Sequence, residues 1–379
     1  FNQSINQTNN ASSLVNTLSS SISYSKTFET VPQINFSVAG THSQNTNTEE
    51  INMSLPNFNA SVARIFPFEP KIGAKKGIIE NINLQYNLTA ENRIKTTDSE
   101  FFTSKMFDGA KLGARHTIPI STNFKVLKYL SSSLSTTYQE TWVFDTVKKD
   151  YDPSINNGEG GVVKDTISGF DSYRTYNFSA NLGTTMYGMF NFGKGKKIEA
   201  VRHVIRPSVS YNINPSYEHF YDSYQDPNAI DENIEYSRFE QSLYGAPSKV
   251  RSSNVGISVS NTIEAKVRDN DTTATKPKKI VLLNNLNFNT AYNVLGDSLN
   301  WNPIRFSGSV PIVKKLDFNF NGTLDPYALD NNNVRIDKFN INNGGSLFRL
   351  TNGNISVNYS FSSSDFKTKE EDDFETETF

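Results

Sequence analysis

Residues 199–220 read EAVRHVIRPSVSYNINPSYEHF. Taken by twos, Val201, His203, Ile205, Pro207, Val209, Tyr211, Ile213, Pro215 and Tyr217 fall on one side; Arg202, Val204, Arg206, Ser208, Ser210, Asn212 and Asn214 fall on the other. A β-strand sends successive side chains to opposite faces. The stretch is therefore a long strand with an apolar face and a polar face. Its arginines sit on the polar face, and its prolines sit on the apolar one.

The same alternation recurs from end to end. Leu18, Ile22, Tyr24 and Phe28 share a phase, as do Ile34, Phe36 and Val38. Ile51, Met53 and Leu55 are followed across Pro56 by Phe58, Ala60 and Val62 in the opposite phase, which predicts a bulge at the proline because proline donates nothing to a ladder. Further runs include Ile82 to Ala90, Ile118 to Val126, Leu134 to Phe144, Tyr176 to Met186, Val255 to Val267, Leu286 to Val294, Leu316 to Phe320 and Ile355 to Phe361. The pattern gives about 14 strands, many of them roughly 10 to 18 residues long, against the ~5–6 usual in globular proteins. A tilted strand needs ~9–11 residues to cross a hydrocarbon layer. The surplus projects into water.

Composition narrows the class. Of 379 residues only 36% are hydrophobic, yet 12% are aromatic, with 27 Phe and 17 Tyr. Disordered chains lack such aromatics. The net charge of −2 carries no basic footprint, so nucleic acid is not an expected partner. No apolar run approaches the ~18 residues of a membrane-spanning helix, which leaves an alternating β-barrel open. Length alone would allow two ordinary domains, but no internal repeat of fixed period supports a propeller or solenoid.

Connection lengths carry the next step. The longest gaps, near 97–109, 147–169 and 218–250, follow even-numbered strands; those near 29–31, 69–78, 127–129, 191–198 and 312–314 follow odd ones and are mostly shorter. Short turns at one end and long loops at the other characterise outer-membrane barrels. Phe66, Phe68, Trp142, Tyr217, Phe220 and Trp301 fall where interfacial aromatic girdles are expected, the alternative being an ordinary sandwich core. The expected fold is all-β, an antiparallel transmembrane β-barrel over 1–379, with an acidic, solvated loop at 365–379.

Chemistry is sparse. Cysteine is absent, which removes disulfides, thiolate metal sites and thiol catalysis. His42, His116, His203 and His219 are scattered, so no metal site is expected. DYDPSINNGE at 150–159 has Ile155 where a calcium loop needs glycine, and GKGKK at 193–197 lacks phosphate-loop spacing and reads as a basic periplasmic turn. Asp226, Asp231, Glu232 and Glu235 form no recognisable acid–base pair, and N-x-S/T triplets such as Asn87 to Thr89 follow from composition. No cofactor and no enzymatic activity are expected. A charge on the lipid face near the midplane costs ~2–4 kcal/mol. Arg202, Arg206, Ser208, Ser210 and Asn212, with Glu264 and Lys266 beside Ser258 and Ser260, are therefore the expected lumen-facing residues, where they meet an anionic amphiphile, meet a plug, or form a hydrated ladder.

Five stretches resemble a known family: RHVIRPSVSYNINPSY (202–217), NMSLPNFNASVARIFPF (52–68), ARHTIPISTNFKVLKYLSSSLSTTYQETW (114–142), YSRFEQSLYGAPS (236–248) and LDPYALD (324–330). Together they resemble the barrel domain of the LptD lipopolysaccharide-assembly proteins in their Bacteroidota form, over about residues 30–362. The motif positions are His203, Pro207, Asp325, Pro326 and Tyr327. The resemblance implies part of a barrel of about 26 strands that inserts lipopolysaccharide into the outer leaflet. Its implied partners are lipopolysaccharide, an LptE-like lipoprotein that plugs the lumen, a periplasmic lipopolysaccharide-transport bridge and outer-membrane lipids. It also implies that a periplasmic jellyroll and both seam strands lie outside this segment, in keeping with a start that carries no secretory signal. Relatives tie their soluble domain to the barrel by disulfides, and this segment has no cysteine for that. The competing readings are a diffusion or TonB-dependent nutrient barrel, which needs a plug domain, and a soluble β-rich adhesin, which needs no detergent. For Pro207, a locally loosened neighbour and a bulge remain equal expectations.

Overall fold

The structure is a computed structural model and describes residues 17–193, 196–229, 233–268, 278–313 and 316–360. In chain order the strands are β1 (Thr17–Phe28), β2 (Ile34–Asn45), β3 (Glu50–Ile65), β4 (Asn83–Thr97), β5 (Lys111–Val126), β6 (Leu130–Asp152), β7 (Gly161–Gly183), β8 (Met186–Asn191) and β9 (Ile198–Asn214). There follow β10 (Tyr221–Gln225), β11 (Asn233–Ser237), β12 (Ser252–Val267), β13 (Lys278–Asn293), β14 (Ile304–Val313), β15 (Leu316–Asp325), β16 (Tyr327–Leu329), β17 (Arg335–Phe339) and β18 (Arg349–Tyr359). A 14-stranded sheet holds all but two small hairpins, β10 with β11 and β16 with β17. The fold is all-β. Among the described residues no helix is long and apolar enough to cross a membrane, which leaves crossing by strands untouched.

Two units divide the chain. The first takes its described residues from 1–124, 133–180 and 212–252, the second from 125–132, 181–211 and 253–379. In the first unit β1 to β7 follow one another as hydrogen-bonded neighbours. Tyr24 of β1 meets Phe36 of β2, and Phe36 meets Phe58 of β3, with ring centroids 6.4 and 5.1 Å apart. Such cross-strand aromatic rows pin register on an apolar face. The bulge expected at Pro56 is present: register slips between Ala39 and Thr41 on one side of β3 and between Ser54 and Asn57 on the other. Leu55 and Phe58 consequently keep to the apolar side, Leu55 lying against Gly40.

The second unit orders its strands β9, β12, β13, β14, β15, β18, with β8 on β9. Phe306 lies over Gly322 and Phe320 over Gly308 across the β14–β15 ladder; a Cβ at either glycine would come within 2.6 Å of the ring. Glycine is required there so that the rings can lie on the backbone. Phe288, Phe306 and Phe320 thereby form a continuous row.

Pro207 finds its explanation in the same unit. Thr184 N donates to Pro207 O at 3.1 Å just after β7 ends, and the ladder resumes as β8 with Met186 opposite Ile205. Proline has no N–H to offer. The neighbour breaks at Thr184 and Thr185 while β9 runs on, a locally loosened pairing.

Several connections differ from expectation. The gap expected over 147–169 shrinks to 153–160, because β6 and β7 are each 23 residues long and run on past their apolar stretches. Residues 66–82 form a longer turn than expected at 69–78. The connection near 97–109 folds into a 3-10 turn, Asp98–Glu100, and a one-turn helix, Ser104–Asp108, whose Met106 is buried. The acidic stretch 365–379, part of GKGKK, Asp231 and Glu232 lie outside the described residues.

Candidate functional site

The polar face of the second unit gathers a charge cluster from three strands. Arg202 of β9 bonds through Nε to Glu264 Oε2 on β12 at 2.9 Å, with a second, closer contact from its Nη2. Lys279 of β13 reaches Glu264 Oε1 at 2.6 Å, and Lys266 of β12 pairs with Glu199 of β9 at 3.5 Å. Glu264 is thus shared by two cations on neighbouring strands, and its carboxylate is largely covered. The group borders a cavity of about 590 Å³ lined also by Met189, Asn191, Ala200 and Ala265. Three cations against two carboxylates leave its rim with a positive excess.

The other expected polar-face residues of β9 lie farther along the strand. Ser208 lies beside Gly183, and Ser210 faces Gly256 of β12 so closely that a Cβ there would meet its Oγ at 2.5 Å. Arg206 and Asn212 stand exposed. His203, on the apolar face, bonds Asn261 Oδ1 through Nε2 at 3.0 Å, next to the bulge where β12 slips against β13. Among the described residues no histidine or carboxylate group is arranged to hold a metal ion.

The LDPYALD stretch builds a separate node. Asp325 is buried; its Oδ2 lies 3.1 Å from Arg335 Nε and 3.2 Å from Arg349 Nη2, and its Oδ1 accepts the Tyr327 amide at 3.0 Å. Tyr327 is buried and stacks on Phe339 at 5.3 Å; its hydroxyl accepts from Trp301 N. Pro326 O accepts from Asn340 N at 2.8 Å. The three motif residues together tie the connections 294–303 and 326–348 of the second unit to the strand ends.

A feature that sequence reasoning missed occupies the first unit. The connection 215–251, expected as a loop over 218–250, folds back onto the polar face of β4 to β7. Phe239 is completely buried and packs with Val143 and Tyr173, with Phe220 and Ala246 at the margin. Tyr244 Oη donates to Thr89 O at 3.0 Å, and Arg115 stacks its guanidinium 4.3 Å over the Tyr244 ring. Tyr173 Oη donates to Gly245 O, Arg238 Nε pairs with Asp171 at 2.8 Å, and Lys149 pairs with Glu240 at 2.8 Å. Burial pushes the Tyr244 phenol up from its ordinary value, so it stays protonated and a donor. Tyr217 and Phe220, expected in an interfacial girdle, belong instead to this clamp. Tyr217 Oη bonds the backbone of Tyr176, and Tyr217 N donates to Ser248 O. Only the aromatic density of YSRFEQSLYGAPS hinted at burial.

Trp142 does lie on the apolar face, edge-on to Phe170 at 5.7 Å and 4.3 Å from His116. On that same face Glu140 accepts from Tyr138 Oη at 2.8 Å and Trp142 Nε1 at 3.0 Å, and pairs with Arg174 at 3.3 Å. The simple rule that charges keep to the polar face fails here because the pair is neutral and hydrogen-bonded by its aromatic neighbours.

A family model described as LptD protein matches residues 1–327. The chain belongs to the LptD family. The family consists of outer-membrane proteins of lipopolysaccharide transport and assembly, not of enzymes, and the antiparallel β architecture agrees with it. A search of individually curated proteins gave no match.

Proposed function

We propose that this chain forms part of the wall of an LptD barrel that delivers lipopolysaccharide to the outer leaflet of the outer membrane. The polar face, with Arg202, Arg206, Ser208, Ser210, Asn212, Glu264 and Lys266, lines a hydrated lumen. Aromatic rows such as Phe288, Phe306 and Phe320 meet lipid. The lumen receives the phosphorylated sugar while the acyl chains leave sideways, and the driving force is supplied from elsewhere through a periplasmic bridge. An LptE-like lipoprotein fills the lumen. No bond is made or broken, so no catalytic residue is required.

The observation that carries this reading is the segregation across β9, β12 and β13, in which Arg202, Glu264, Lys266 and Lys279 share one face and Lys266 also pairs with Glu199 near the start of β9. A lone charge on a lipid face costs ~2–4 kcal/mol at the midplane and about 0–1 near the interface. The Glu140–Arg174 pair, flanked by Tyr138 and Trp142, accordingly marks the outer interface. The nutrient-barrel reading has no observation of its own in favour.

The test is in-cell photocrosslinking in the full-length protein, with the probe at Arg206, Ser210 or Asn212 and, as controls, at Val209 or Tyr211. Adducts with lipopolysaccharide or lipoprotein from the first set, and with bulk lipid from the second, are expected. Lipopolysaccharide adducts absent from the first set in cells that make and export it would overturn the assignment.

A further inference from the structure

The second unit contains an apolar cavity of about 350 Å³ lined by Trp301, Ile304, Pro326, Phe339, Leu347 and Phe348, among others. It lies at the small end of the ligand-pocket range of roughly 300–1,000 Å³. Its position is set by strand phase. Ile304 leads β14 two residues before Phe306, Thr290 follows Phe288 on β13, and Pro326 follows Leu324 of β15. These are continuations of the face that carries the Phe288, Phe306 and Phe320 row. The cavity therefore opens where the apolar face of the strands passes into the connections 294–303 and 326–348.

Its polar groups are already engaged. Trp301 N donates to Tyr327 Oη, Asn302 N donates to Ala291 O at 2.8 Å, Asn302 O accepts from Thr290 Oγ1 at 2.7 Å, and Pro326 O accepts from Asn340 N. Water needs two to four polar partners to settle in a cavity, and this lining leaves it few. Phe339, Ile341 and Leu347 nevertheless remain 40%, 51% and 58% exposed. Connections immersed in water do not gain from displaying such residues around an apolar hole.

We propose that this cavity holds one acyl chain of a membrane phospholipid, with Ile341 and Leu347 at its mouth dipping into the bilayer. The inference rests on the lipid-facing reading of the aromatic row, from which the cavity continues. The connections 294–303 and 326–348 thereby become a lipid clamp, braced from behind by Asp325 with Arg335 and Arg349.

The experiment uses the full-length protein in proteoliposomes of phosphatidylethanolamine, a fraction of which carries a diazirine along one acyl chain. After irradiation, adducts are mapped by peptide mass spectrometry. The proposal expects adducts on Trp301, Ile304, Phe339 and Leu347 at several times the yield found at Phe288 and Phe306. The double variant I341D/L347D should lower the cavity yield at least fivefold while leaving Phe288 and Phe306 unchanged. Both substituted side chains are more than half exposed, so the fold tolerates the change. Adducts on the aromatic row but none in the cavity would overturn the clamp and leave the barrel standing. Yields equal at both places, or undisturbed by the double variant, would reduce the cavity to ordinary lipid contact and also overturn it. No adduct on the aromatic row would sink the lipid-facing reading itself.

Discussion

The connection 215–251 of the first unit and the connections 294–303 and 326–348 of the second are both long and rich in aromatic residues, yet they are organised in opposite ways. The first lies down on the polar face of β4 to β7 and buries Phe239 against Val143 and Tyr173. The second pair is braced by a buried carboxylate, Asp325, between two arginines, and leaves Ile341 and Leu347 exposed. One connection is held by a small apolar core, the other by an ion-paired node. In a strand protein whose main faces are both spoken for, a long connection needs its own source of stability, and these are two separate solutions.

The difference can be broken first at Phe239. Removing a fully buried phenylalanine costs about 3–5 kcal/mol, so Phe239→Ala should release 215–251 to limited proteolysis, whereas Leu347→Ala, at an exposed site, should shift stability by less than about 0.5 kcal/mol. Equal protease sensitivity of the two variants would remove the contrast. Asp325→Asn comes next. Breaking a fully buried pair costs about 3 kcal/mol or more; here the carboxylate is buried but Arg335 and Arg349 are partly exposed, so a smaller loss is expected in urea unfolding, with proteolysis appearing in 326–348 and not in 215–251.

A smaller effect is expected at Tyr244. Tyr244→Phe keeps the ring under Arg115 and deletes only the hydrogen bond to Thr89 O, a change of about 1 kcal/mol, readable as faster amide exchange in 236–248. The smallest lies in the turn 153–160. Ser154 Oγ and N hold the Asp152 carboxyl below its usual value. Because the folded value is the lower one, the turn is favoured above the ordinary carboxylate range and that advantage fades as pH falls through the depressed value. The Ser154 amide resonance should stay constant from pH 8 to 5 and move only below about pH 4; movement near pH 6 would mean that another group controls the turn.

Strand phase was legible because period-two alternation survives in sequence: β9 follows the reading of 199–214, and Pro56 marks a real bulge. The pairing of Arg202 with Glu264 was half legible. Face membership follows from parity, but register does not, so Lys279 and Glu199 had no signal marking them as partners. The extent of β6 and β7 was hidden because their outer halves lose the alternation that defines a membrane-facing strand. Nothing in the local sequence says that Tyr217 and Phe220 turn inward. Their partners, Tyr176 and Tyr173, lie more than forty residues away in sequence, and a tyrosine in a clamp reads like a tyrosine in a girdle.

The central claim is that one face of these strands meets a hydrated lumen and the other meets lipid. It is tested most directly by a single-cysteine scan from Arg202 to Asn212 in intact outer membranes, on a stretch that contains no cysteine, with a charged maleimide as reagent. Alternating reactivity, high at Arg206, Ser208, Ser210 and Asn212 and low at Ile205, Val209 and Tyr211, is the predicted result. Uniform reactivity along β9, or the reverse alternation, would contradict it.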